Sequence, residues 1–264
     1  PALHRFWLDH LGIEGDYRPV RVRPEELGAY LNNRRGDPDW LGCNATIPHK
    51  ESIAALVDDV ASDAATVGAV NCVLPDGDRL LGQNTDVEGI AAAIGHVPVE
   101  DRPVALIGAG GAARAMLAYL QRRSVAEVTI LARDQTKVAI LRDCWPGLRL
   151  TFRPIEEPRI ASDTALIVNA SPLGMAGSAP MPRSLLEAVA NSGSTLFDMV
   201  YQPLQTDFLR AGKGAGAETI DGLTMLIGQA RRAFSLFFGT EAPSGDAAVR
   251  AVLTGDTLPS VRNA

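Results

Sequence analysis

The spacing of apolar residues changes character along the chain. Leu3, Phe6, Trp7, Leu8 and Leu11 recur at helical intervals, which predicts a helix over Ala2–Leu11 stopped by Gly12 and Gly15. Tyr17–Val22 reads as a strand, with Pro19 placing it at an edge or bend. Pro24-Glu25-Glu26 opens a helix to about Leu31, because Pro and two acids suit a first turn. A short apolar strand at Trp40–Cys43 runs into a polar loop through Lys50, and Glu51–Val60 predicts a helix. Gly68–Leu74 and Arg79–Gln83 flank the turn Pro75-Asp76-Gly77-Asp78 and predict a hairpin. Val87–Ile94 predicts a helix that Thr85 or Asp86 caps, with a domain boundary near Asp86.

From Val104 onward, strands and helices alternate. Strands are expected at Val104–Ile107, Glu127–Leu131, Leu150–Phe152, Ala165–Asn169, Ser194–Val200 and Glu218–Ile220. Helices are expected at Ala112–Arg123, Gln135–Leu141, Ser184–Ala190 (with Ser184 as cap) and Thr206–Ala211. This alternation argues for a parallel, doubly wound sheet. The polar tips Asn169, Met199–Tyr201 and Asp221-Gly222 all follow strands and should gather along one sheet edge. Leu223–Phe238 predicts a long amphipathic helix and Ala247–Leu253 a short one.

The turn Gly108-Ala109-Gly110-Gly111-Ala112 joins a buried strand to a helix. Free backbone N–H groups and the helix dipole make such a turn an anion site, and absent side chains let a pyrophosphate approach. A strand–helix corner without ligand is the alternative. The strand before it and the strand after its helix favour the ligand. Ala113 stands where the dinucleotide fingerprint has its third small residue. Past the second strand come Arg133 and Lys137, two cations suited to a 2′-phosphate. Asp134 argues the other way, towards NAD. On balance the pattern favours NADP over NAD.

Composition narrows the class. The chain has 264 residues, 46% hydrophobic and 21% charged, which suits folded domains rather than disorder. The net charge of −6, with basic pairs scattered, points away from nucleic acid. No apolar run is long enough for a membrane span and no signal peptide is evident, so a cytoplasmic protein is expected. Cys43, Cys72 and Cys144 read as reduced thiols, and His4, His10, His49 and His96 lack metal-ligand spacing, so no metal is expected.

Asn44, Thr46 and Lys50 sit on a strand–loop–helix junction of the kind that displays chemistry in α/β folds. An ordinary loop with a surface lysine explains them equally well. Asp86 has the competing role of helix cap. The ordered set of motifs, however, resembles the shikimate/quinate dehydrogenase family. It comprises Gly42-x-Asn44-Ala45-Thr46-Ile47-Pro48-His49-Lys50-Glu51, Gly68-Ala69-Val70-Asn71, Gly82-x-Asn84-Thr85-Asp86-x-x-Gly89, the Gly108–Ala115 turn, Asn169-Ala170-Ser171-Pro172-Leu173-Gly174-Met175, Asp198-Met199-Val200-Tyr201 and Gly222-Leu223-Thr224-Met225-Leu226-x-x-Gln229-Ala230.

The resemblance implies a two-domain α/β protein. A substrate-binding domain over 1–86, completed by 223–264, would flank a Rossmann-like NADP-binding domain over 87–222, with the active site in the cleft. It implies reversible NADPH-dependent reduction of 3-dehydroshikimate to shikimate, by a monomer or homodimer. Lys50 and Asp86 would be catalytic. Asn44, Thr46, Asn71, Asp86, Tyr201 and Gln229 would hold substrate. Gly108, Ala109, Gly110, Gly111, Ala112, Arg133, Lys137, Met199, Gly222 and Met225 would surround the cofactor. Hydride addition to a ketone creates an alkoxide, which a lysine can protonate as it forms. A free lysine, with a pKa of about 10.4, is a poor base at neutral pH. Burial would lower that value and a neighbouring carboxylate would raise it.

Four departures stand out, the mildest being Ala45 where Val is frequent, a core change with little consequence. The family's first strand and a Ser-x-Ser pair would precede Pro1, so the chain is expected to lack its natural start and, as printed, to bind substrate poorly. Asp134 stands where Thr is frequent, and Ala132 where Asn is usual. The alternatives are a dehydrogenase of broader scope using quinate or NAD, a non-catalytic metabolite-binding regulator, and a folate-type dehydrogenase, which the Asn84-Thr85-Asp86 segment fits badly.

Overall fold

The computed structural model describes residues 1–46 and 48–255, and it divides the chain into two compact units, Pro1–Thr85 with Ile227–Ala264, and Asp86–Leu226. Ile47 of the Gly42–Glu51 motif and residues 256–264 of the expected C-terminal completion lie outside the described residues.

In the first unit, α1 (Ala2–Leu11) ends on Gly12 in the left-handed conformation, φ 64°. Helix α2 (Leu27–Asn32) follows a 3₁₀ turn at Pro24–Glu26, where the Arg23 backbone N–H donates to the Glu26 carboxylate. Strands β1 (Cys43–Asn44) and β2 (Asp59–Val60) precede α3 (Ser62–Val67), β3 (Cys72–Asp76) and β4 (Arg79–Gln83). The sheet order is β1-β3-β4-β2, with β3 and β4 joined as the expected antiparallel hairpin and β2 parallel to β4.

Two expectations fail here. Tyr17–Val22 pairs with no strand among the described residues. Apolar alternation supplies a face but not a ladder partner, and Pro19 lacks an N–H. The Val22 carbonyl instead meets the His49 ring Nε2 at 2.9 Å. Glu51–Val60 is not a helix but a 3₁₀ turn at Ile53–Ala55 followed by β2. Long-range pairing overrides local propensity, because the Asp58 carboxylate accepts the Leu80 N–H at 2.7 Å and Val60 registers with Gly82. Helix α3 had no expected counterpart.

The second unit starts with α4 (Asp86–Ile94) and continues β5 (Pro103–Ile107), α5 (Gly111–Leu120), β6 (Glu127–Ala132), α6 (Gln135–Cys144), β7 (Leu150–Pro154), β8 (Leu166–Asn169), α7 (Arg183–Ala190), β9 (Thr195–Asp198), α8 (Asp207–Gly214) and β10 (Thr219–Ile220). Ser184 lies inside α7 rather than at its cap, and its hydroxyl donates to the Glu156 carbonyl. All six strands pair parallel in the order β10-β9-β8-β5-β6-β7. That order reverses direction at β5, which makes the crevice beyond its carboxyl end a topological switch point. One core, on one face of the sheet, joins Ile107, Leu131, Ile167 and Leu196 to Leu185 and Phe208.

Helix α9 (Gly222–Phe238) begins in the second unit and ends in the first, and α10 (Asp246–Thr254) follows. In the first unit, Phe234 of α9 packs edge-on against Trp7, with centroids 5.4 Å apart. Gly42 marks the tightest approach. At φ 138° it lies so close to α9 that a Cβ would sit 2.5 Å from both the Phe237 ring and the Val73 carbonyl oxygen. Gly42→Ala should therefore cost on the order of 3 kcal/mol through backbone strain and overpacking. Urea unfolding checks this, and an unchanged midpoint would show that the segment relaxes freely.

Candidate active site

The parallel register of the second unit lines up the strand ends. Ile107 stands beside Leu131 and Asn169, and Asn169 beside Asp198. Beyond β5, the Gly108 N–H donates to the Leu131 carbonyl at 2.9 Å, and φ is 103°. A Cβ on Gly108 would lie 3.1 Å from the Ala170 carbonyl oxygen, so the turn rests on the loop after β8. At Gly110 and Gly111 an added Cβ would meet nothing within 4 Å. No side-chain hydrogen bond caps α5 at Gly110, and that uncapped, side-chain-free N-terminus fits a pyrophosphate. Ala109 is half-buried and Ala112 exposed.

Arg133 and Lys137 are exposed at the end of β6 and on the first turn of α6. Asp134 is the N-cap of α6, accepting the Thr136 N–H at 2.9 Å. That hydrogen bond gives the acid a structural task and leaves the two cations to face an anion, which fits a 2′-phosphate. Met199 and Met225 are half-buried, Tyr201 is 45% exposed, and Gly222 is buried against the Met199 carbonyl, where a Cβ would be 2.5 Å away.

A cluster built on Asn169 and Asp198, which the motifs include but to which the sequence assigned no role, joins these loops. The wholly buried Asp198 carboxylate accepts from Asn169 Nδ2 at 2.9 Å, the Val200 N–H at 2.9 Å and Thr206 Oγ1 at 2.6 Å. Asn169 in turn accepts from Ser171 N–H at 3.1 Å and Ser171 Oγ at 2.7 Å, and donates to the Leu173 carbonyl at 3.1 Å. The sequence signals were the two motifs and an acid ending an apolar strand, and neither shows which partners the acid takes.

In the first unit, Asn71 is the hub. Its Oδ1 accepts the Thr85 N–H at 2.8 Å, and its Nδ2 donates to Thr85 Oγ1 at 3.1 Å and Gln229 Oε1 at 3.2 Å. The Asn71 carbonyl accepts Asn44 Nδ2 at 3.1 Å, while Tyr17 Oη donates to Asn44 Oδ1 at 2.6 Å. Asn44, Asn71 and Gln229 thus form one hydrogen-bonded chain that Tyr17 and Thr85 extend, two residues the motif reading left without a role. Both ends of the Asn44 amide already have protein partners. Thr46 is exposed and Lys50 half-buried, and the Lys50 carbonyl accepts the Val70 N–H at 2.7 Å. Asp86, in the second unit, is buried on the first turn of α4, where a negative charge suits the dipole.

Among the described residues no three His, Cys, Asp or Glu side chains group to hold a metal, and no helix is long and apolar enough to cross a membrane. All three cysteines are free.

Comparison with known proteins places these features in context. The model of the shikimate dehydrogenase substrate-binding domain matches residues 1–73, and that of the shikimate 5′-dehydrogenase C-terminal domain matches 222–254. Shikimate dehydrogenase (NADP(+)) of Sphingopyxis alaskensis is 44% identical over 261 residues, 96% of this chain and 91% of that protein. Shikimate 5-dehydrogenase from Thermus thermophilus, in complex with NADP(H) and shikimate, superposes with a TM-score of 0.80 at 35% identity, covering 92% of this chain and 89% of that one. Ligand-free 5-ketofructose reductase of Gluconobacter sp. strain CHM43 superposes with a TM-score of 0.82 at 28% identity, covering 92% and 88%.

Burial pushes the Asp198 carboxyl up to about 6 from an ordinary 3.8, against the three hydrogen bonds that favour its charged form. A raised folded pKa contributes stability below the unfolded value, and that contribution is lost as pH rises through about 6. Asp198→Asn removes this dependence. Its stability relative to the unsubstituted protein should climb by on the order of 3 kcal/mol between pH 4 and pH 8. Denaturant unfolding across that range checks it, and a flat difference would mean that the carboxyl ionises normally.

Proposed function

The chain belongs to the shikimate dehydrogenase family, and we propose that it catalyses the reversible NADPH-dependent reduction of 3-dehydroshikimate to shikimate. The activity class is that of an NADP-dependent oxidoreductase acting on a CH–OH group. The observation that carries the reading is the hydrogen-bonded set Asn44–Asn71–Gln229 in the unit whose first part matches the substrate-binding model. Amide groups of this kind recognise the hydroxyls of a polyol.

When bound, the nicotinamide cofactor supplies the hydride. The chain's own residues do the rest. The uncapped N-terminus of α5 at Gly108–Ala112 would hold pyrophosphate oxygens on backbone N–H groups. Arg133 and Lys137 would pair with the 2′-phosphate, and Met199, Gly222 and Met225 would lie around the cofactor. Asn71, Thr46, Tyr201 and Gln229 fix the substrate hydroxyls and carboxylate, and Asn44 steadies Asn71. Lys50 donates a proton to the carbonyl oxygen as negative charge develops there, and takes it back in the reverse direction. Asp86, the carboxylate of the catalytic pair, has the task of orienting a substrate hydroxyl. Domain 87–222 supplies most of the cofactor residues, and 1–86 with 223–264 most of the substrate residues.

Lys50→Ala is expected to lower kcat by about 10²-fold or more while the KM for NADPH changes little. Steady-state kinetics decide, and near-normal turnover would remove Lys50 from the mechanism. Replacing Arg133 and Lys137 by Ala should raise the KM for NADPH about tenfold or more with little effect on NADH. Equal losses with both cofactors would show that the two cations do not read the 2′-phosphate. The match to a 5-ketofructose reductase favours, as a second reading, a wider range of polyhydroxylated ketones. Rates with 3-dehydroshikimate and 5-ketofructose side by side separate the two.

A further inference from the structure

Three segments that the reading above places around the cofactor, the turn after β5, the end of β9 and the start of α9, meet the loop after β8 over one buried acid. At two of these meetings a glycine lets its backbone approach the neighbouring loop closely. Gly108 rests on Ala170 and Ser171, where a Cβ would come within 3.1 Å of the Ala170 oxygen and the Ser171 Cβ. Gly222 rests on Met199 and Val200, where a Cβ would come within 2.5 Å of one carbonyl oxygen and 2.7 Å of the other. Backbone packed this closely tolerates little shift in either loop. What fixes both loops is Asp198. Through Asn169 it sets the 170–173 loop, because Asn169 binds Ser171 twice and the Leu173 carbonyl once. Through the Val200 N–H it sets the 199–201 loop directly. Through Thr206, whose hydroxyl also accepts the Leu209 N–H at 3.3 Å, it ties both to the start of α8.

We propose that Asp198 is a positioning residue for the cofactor site, holding the loops after β8 and β9 in the arrangement on which Gly108 and Gly222 seat. The inference rests on the assignment of the Gly108–Ala112 turn, Met199 and Gly222 to the cofactor. Asp198 itself is wholly buried. All its partners are neutral donors, so the carboxylate acts as a three-way acceptor rather than as half of an ion pair. An asparagine can take the same place. Its Oδ1 keeps the Asn169 and Val200 bonds, and its Nδ2 donates to a Thr206 oxygen that now accepts. An alanine keeps none of the three.

The test compares NADPH binding, by fluorescence titration at pH 8, with steady-state kinetics for the full chain and its Asp198→Asn and Asp198→Ala variants. Asp198→Ala should weaken NADPH binding about tenfold or more, raising the KM for NADPH with kcat at saturating cofactor within about threefold. Asp198→Asn should restore binding to within about threefold. If Asp198→Ala does not fold, Asn169→Ala, which severs only the 170–173 arm, should show the same weakening to a smaller degree. An NADPH affinity unchanged in the folded alanine variants would overturn the proposal and leave Asp198 a purely stabilising group. Equal weakening in the asparagine and alanine variants would also overturn it. An unsubstituted chain that fails to bind NADPH would instead overturn the parent reading, and the inference with it.

Discussion

A carboxylate buried without a cation is costly unless donors surround it, and in the second unit that requirement organises the functional edge of the sheet. Asp198 draws in an amide from β8, a backbone N–H from its own loop and the hydroxyl that caps α8. The three donors come from separate stretches of chain, so satisfying one acid fixes the relation among three. The raised carboxyl pKa, near 6, is the remaining cost of that burial. The arrangement works because parallel pairing brings Ile107, Asn169 and Asp198 into one row. A one-residue slip would point Asp198 to the opposite face of the sheet.

The first unit solves a similar problem with amides. Asn71 is only 2% exposed, and its side chain reaches Thr85 and Gln229, while its backbone takes Asn44. Gln229 is 158 positions away along the chain. Such a network is held by rigid elements rather than by a flexible loop, which is what a site must have if hydroxyl positions are to be discriminated. The short β1–β3 pairing places Asn44 opposite Cys72, next to Asn71, so the local ladder and the candidate substrate residues share one geometry.

Much of the second unit was legible in the letters. Val104–Ile107, Glu127–Leu131 and Ala165–Asn169 are short apolar runs between breakers, and each is a strand within a residue or two. The glycine turn announced the strand–helix corner, whereas Thr206, expected inside its helix, proved to be the cap. Asp134 was ambiguous as text, since an acid after a second strand can face a ribose. The hydrogen bond to Thr136 gives it a local role that spacing alone could not reveal. The first unit was harder to read. Glu51–Val60 has the composition of a helix, and Tyr17–Val22 that of a strand. Their conformations were set by what lay opposite them in space.

The sequence by itself determined the alternation of strand and helix and the glycine turn, because these rest on local periodicity and on glycine and proline geometry, and it carried the ordered motifs by which the chain resembles its family. Only the tertiary structure decided that Asp198 would sit at the crossing of three loops and that Asn71 would meet Gln229. It also decided that residues 59–60 would pair with β4 instead of winding into a helix. Those outcomes depend on hydrogen-bond partners far apart in the chain, and a buried polar group takes whichever partner the packed fold brings to it.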